Sequence, residues 1–100
     1  MDCNPKKLMA EALDAAKALV TGDRSTQNGD FIETHENVAL LWRAYLKASL
    51  GQDVPLRALH IADMMDLFKM VRCHSGEFNK DDYIDRLGYA SGAYACAKSL

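Results

Sequence analysis

"DDYIDRLGYASGAYA", residues 81–95, places three carboxylates in its first five positions and then carries two glycines, Gly88 and Gly92. Tyr83, Leu87, Ala90 and Tyr94 recur at three- and four-residue spacing, which is the period of a helix and not of a strand. Asn79 stands ahead of the segment as an N-cap, and acids in a first turn offset the helix dipole. The stretch therefore reads as a helix over about residues 80–98, with that stripe turned to the core. A glycine inside a helix costs up to about 1 kcal/mol against alanine. Gly88, Gly92 and Cys96 repeat every four residues, so close approach of helix three or of a second subunit is the expected compensation.

The same stop and start signals divide the rest of the chain. Helix one is expected over about 5–20, with Asn4 as N-cap, Pro5 in the first turn and Gly22 after its end. A polar loop, "TGDRSTQNGD" at 21–30, is long for a helix connection. Helix two is expected over about 31–50, opened by Asp30 with Glu33 and closed by Gly51. Val38, Leu41, Trp42, Tyr45 and Leu46 form its apolar stripe, and Glu33, Glu36, Arg43 and Lys47 its solvated face. Helix three is expected over about 55–74, beginning near Pro55. It is apolar nearly all round, which predicts the central helix or one at a subunit interface. Period-two alternation is absent. The fold class is all-α: a four-helix bundle or an antiparallel helical array, in one domain spanning 1–100.

Bulk properties exclude several functions. The formal net charge is −2 and no run of Lys or Arg occurs, so a binder of nucleic-acid duplex is not expected. Three cysteines with no C-x-x-C argue against a disulfide framework and a zinc knuckle. No apolar run reaches the ~18 residues a membrane span needs. "MDCNPKK" at the start has no apolar signal region, and a cytoplasmic protein is expected.

Chemistry has two places to sit. "DMMD" at 63–66 and "DYID" at 82–85 each put two aspartates on one helix face. Facing each other, Asp63, Asp66, Asp82 and Asp85 would make an oxygen cage for Mg²⁺. The plainer reading is that Asp82 caps a dipole and Asp66 pairs with Lys69. Lys69 and Arg72 could hold a phosphate beside these acids, or lock two helices together. His35 lies at the edge of the helix-two stripe, where most histidines are structural. Tyr89 shares the acidic side of helix four. No Ser-His-Asp or Cys-His arrangement can be argued.

"KMVRCHSGEFNKDDYIDRLGYA", residues 69–90, and "GDRSTQNGDFIETHENVALLWRAYL", residues 22–46, resemble a family of small uncharacterised phage and prophage proteins. The resemblance covers roughly residues 8–97. It carries over Arg24, Gly29, Asp30, Trp42, Lys69, Arg72, Gly76, Asp82, Asp85, Gly88 and Tyr89, and it implies phage origin more than any activity. A weaker resemblance is to the MazG-like all-α nucleoside triphosphate pyrophosphohydrolases. Those bind Mg²⁺ through an E-E-x-x-E helix followed by an E-x-x-D helix. This chain has D-x-x-D twice and lacks the doubled glutamate.

Together these features point to a phage nucleotide-handling protein, either a binder or a Mg²⁺-dependent pyrophosphohydrolase. Arg24, His35, Lys69, Arg72 and Tyr89 are the candidate ligand contacts. The alternative is a non-enzymatic accessory protein that binds a host protein or a signalling nucleotide. The two-sided apolar helices predict a homo-oligomer, a dimer or larger.

Overall fold

The computed structural model describes residues 4–22 and 30–99. The described residues form four helices and no strand: α1 (Pro5–Thr21), α2 (Phe31–Leu50), α3 (Ala58–Cys73) and α4 (Lys80–Lys98). Arg24, a candidate ligand contact, lies outside the described residues, as do Cys3 and Gly29.

The helix ends follow local chemistry. The Asn4 side chain accepts from the backbone N–H of Lys6 and Lys7, and Pro5 occupies the first turn. Asp30 accepts from Glu33 N at 3.0 Å, and Asn79 accepts from Asp81 N at 2.9 Å. Gly51 adopts φ 69°, a left-handed conformation, and its N–H closes α2 onto the Lys47 carbonyl.

One boundary differs from expectation. α3 begins at Ala58 and not near Pro55. Its N-terminus is capped from another helix: the Glu36 carboxylate on α2 accepts the Ala58 N–H and pairs with Arg57 Nε. Residues 51–57 stay non-helical, and Leu56 turns into the core beside Ala39 and Ile61. Glu36, expected on a solvated face, therefore links two helices.

The packing is organised by α4. It lies chiefly against α3, next against α1, and least against α2. Asp82, Ile84, Gly88, Gly92, Ala93 and Cys96 are its buried residues. Tyr83, Ala90 and Tyr94 of the expected core stripe are exposed. The face carrying the glycines is the inward one. A Cβ built at Gly88 would touch Leu19 at 3.6 Å and Val20 at 3.9 Å, so α1 crosses there. At Gly92 a Cβ would overlap the Phe31 ring, so α2 begins there. The small-residue side thus meets the end of α1 and the start of α2.

α3 packs against both α4 and α2, but it is not buried all round. It buries Ala58, Ile61 and Ala62 and leaves Met64, Leu67, Phe68 and Val71 exposed. On α2, Leu41 and Tyr45 of the expected stripe are 69% and 68% exposed. Ala39 is the buried residue of that helix. The core is small and rich in alanine, and Ile61 is the largest fully buried side chain among the described residues.

Candidate functional site

α3 and α4 run against each other through ion pairs. Lys69 Nζ lies 2.9 Å from Asp85 and 3.9 Å from Asp82, and Arg72 Nε lies 3.1 Å from Asp82. Asp66 pairs with Arg86 at 2.8 Å. The sequence pairing of Asp66 with Lys69 is therefore replaced by two inter-helix pairs. Asp82 is 5% exposed, and its charge is tolerable there because two bases face it. Arg86 holds its proton more firmly than an ordinary arginine, chiefly through its hydrogen bond to Asp66.

The oxygen cage expected from the four aspartates does not form among the described residues. Asp66, Asp82 and Asp85 each face a base, and Asp63 is exposed on α3. Among those residues no group of three or more His, Cys, Asp or Glu is arranged to hold a metal ion. The i, i+3 spacing puts Asp82 and Asp85 on a shared face, where both reach Lys69. It could not reveal that the facing helix supplies Lys69 or Arg86 where a second acid was expected.

A cleft of about 750 Å³ opens where α1, α2 and α4 meet. Leu19 and Val20 of α1 form one wall, and the Asp30 cap with Phe31, Ile32, Thr34 and His35 of α2 another. The floor is Asp85, Gly88, Tyr89, Gly92 and Ala95 of α4, with Lys69 reaching in from α3. Phe31 and His35 stack at 3.9 Å between ring centroids. Tyr89 lies edge-on to His35 at 6.1 Å and tilted to Phe31 at 6.4 Å. All three rings are half-buried, so each retains accessible surface.

The His35 tautomer follows from its partner. Its Nδ1 is 2.8 Å from the Phe31 carbonyl, which can only accept. Nδ1 therefore carries a hydrogen, and Nε2 is the ring nitrogen left for another partner. Lys69 is held between Asp85 and Asp82 with its side chain 17% exposed. The cleft thus joins an aromatic cluster to a neutralised acid–base pair. Such a surface suits a flat polar ring that can stack and also exchange hydrogen bonds with a carboxylate.

Of the five ligand contacts expected from sequence, His35, Lys69 and Tyr89 line this one cleft. Arg72 sits outside its lining, on Asp82. Sequence reading did not single out Phe31, whose only local signal is its place just after the Asp30 cap. It also missed Glu36 and Arg86, because their partners lie 22 and 20 residues away.

Residues 11–97 match the family described as "Domain of unknown function (DUF6378)". The chain belongs to this family. It is also similar to the Gene 55 protein of Mycobacterium phage L5, 33% identical over 78 residues. That match covers 78% of this chain and 47% of the phage protein. The Gene 55 protein of Mycobacterium phage D29 is 28% identical over 78 residues, covering 78% of this chain and 48% of its own length. The chain therefore spans about half the length of these curated relatives. No solved structure matches the chain significantly. The expected phage connection is thus met by two phage-encoded relatives within an uncharacterised family. Among the described residues of this DUF6378 chain, no helix is long and apolar enough to cross a membrane.

Proposed function

We propose that this chain is a nucleotide-binding protein of phage origin. The observation that carries the reading is the Phe31–His35–Tyr89 ring cluster beside the Lys69–Asp85 pair in a single cleft. A nucleobase stacks on aromatic faces at about 1–3 kcal/mol per base. Its exocyclic amino group offers hydrogens to a carboxylate such as Asp85, and a ring N–H can meet His35 Nε2. Lys69 is the lysine of the lining, and a phosphate would bind it in competition with Asp85.

Binding is the better-supported half of this reading. Hydrolysis of a triphosphate would call for a carboxylate cluster to carry Mg²⁺. Here Asp82 and Asp85 are already matched by Lys69 and Arg72.

Titration calorimetry with bases, nucleosides and their mono- and triphosphates, with and without Mg²⁺, tests the proposal. Saturable binding is expected for at least one base. Tyr89→Ala should weaken it about 10–100-fold, from the stacking energy above. Absence of heat and of thermal shift across the panel, with the protein folded, would sink it. Phosphate release in the same mixtures reports on hydrolysis.

A further inference from the structure

The second half of α2 projects from the body of the molecule. Among residues 40–55 only Leu46 is half-buried, and the other fifteen are exposed. Yet the segment is largely apolar: Leu40, Leu41, Trp42, Tyr45, Leu50 and Val54 are all exposed. The helical part, residues 40–50, continues α2 with almost no tertiary cover, whereas most helical stability in proteins comes from packing of an apolar face. Solvated apolar helices of this kind are stabilised by packing against something else. The chain carries a second uncovered apolar surface. Met64, Leu67 and Val71 form a stripe at three- and four-residue spacing on the outward side of α3, and they are 41%, 56% and 66% exposed.

Shape and area agree. The radius of gyration is 15.7 Å and the molecule extends 53 × 30 × 23 Å. A compact 100-residue domain has a radius of gyration near ~13 Å. The chain exposes 7491 Å². A compact monomer of 11.1 kDa would expose roughly 5,700 Å². The excess is on the order of 1,800 Å², more than twice the ~800 Å² each partner buries in a standard interface and within the range of obligate homodimers.

We infer that residues 40–55 are an exchange arm that seats on the outward α3 stripe of a second copy of this chain. A projecting arm and a flat stripe on one chain are both covered when two copies reciprocate about a twofold axis. Of the charged side chains in the arm, Lys47 and Asp53 pair at 3.1 Å, which leaves Arg43 as its net charge.

Light scattering on the full chain tests this. The expected mass is twice the 11.1 kDa of one chain. Leu41→Glu in the arm and Leu67→Glu in the stripe should each give the monomer mass with the helical circular-dichroism signal retained. Amide exchange on the unmodified protein requires no variant to fold. The amides of residues 40–50 should be protected at micromolar concentration and lose protection on dilution. A folded unmodified protein at the monomer mass with fast exchange in the arm overturns the inference, and so does a dimer that survives both substitutions.

Discussion

The Phe31 ring occupies the space that a side chain at Gly92 would need. This one contact anchors the start of α2 on α4 and sets the floor of the cleft. The other α4 glycine, Gly88, has ordinary van der Waals room over Leu19 and Val20. The two positions should therefore respond to alanine with opposite signs. Gly92→Ala gains helix propensity but must displace an aromatic ring, for a net loss of about 1–2 kcal/mol. Gly88→Ala should gain about 0.5–1 kcal/mol. Urea unfolding at fixed protein concentration measures both. Equal effects would show that the ring moves freely.

Asp82 is the charged side chain buried in the α3–α4 contact, with Arg72 and Lys69 on it. Removing it leaves Lys69 to Asp85 and Arg72 half in water, so the cost is below that of a fully buried pair. Asp82→Ala is expected to lose about 2 kcal/mol, and Asp66→Ala, whose pair with Arg86 is more exposed, about 1 kcal/mol. Thermal unfolding ranks them. A larger loss at Asp66 would reverse this assignment of the main helix lock.

Glu36 predicts an acid limb. The Ala58 N–H bond, then Arg57, hold its carboxyl below the ordinary 4.5. Its folded pKa is depressed, so its contribution is present above the unfolded value and lost as pH falls through the folded one. Stability should decline on acidification below about 4.5. Glu36→Gln should flatten that limb and weaken the start of α3 at neutral pH. Denaturant midpoints across the acid range test it, and identical limbs in the two proteins would exclude this origin.

Cys96 sits 3% exposed near Ile32 of α2 and Ala58 of α3, and burial raises its thiol pKa, with Glu36, Asp30 and Asp63 adding to the effect. Thiolate is the reactive form. Cys73 is half-buried near the end of α3. Iodoacetamide on the native protein should label Cys73 well before Cys96, as read by peptide mass. Comparable labelling rates would mean that α4 opens readily from the fold.

The number of helices and most of their ends were legible because the signals are local; the start of α3 was not, because its cap comes from Glu36 on α2. Asn4, Asp30 and Asn79 cap the chain that follows them within three residues, and Gly51 closes α2 through its own left-handed backbone. The acidic and basic residues of α3 and α4 were legible as a group, since i, i+3 spacing places them on common faces. Their pairing was not, because it depends on the register of one helix against the other. That register joins Lys69 to Asp85 and Asp66 to Arg86.

Which face of each helix turns inward was decided by the tertiary structure. Periodicity favoured the larger stripe of α4, Tyr83 to Tyr94. Burial went instead to Gly88, Gly92, Ala93 and Cys96, because small residues let α1 and α2 cross α4 closely. The sequence by itself determined an all-α chain of four helices, three of them opened by side-chain caps, and offered Arg24, His35, Lys69, Arg72 and Tyr89 as candidate contacts. Only the tertiary structure brought His35, Lys69 and Tyr89 to one cleft, beside a Phe31 that local pattern could not distinguish. The physical reason is that capping and periodicity act within a turn or two of chain, while faces and partners are set by what packs from far along it.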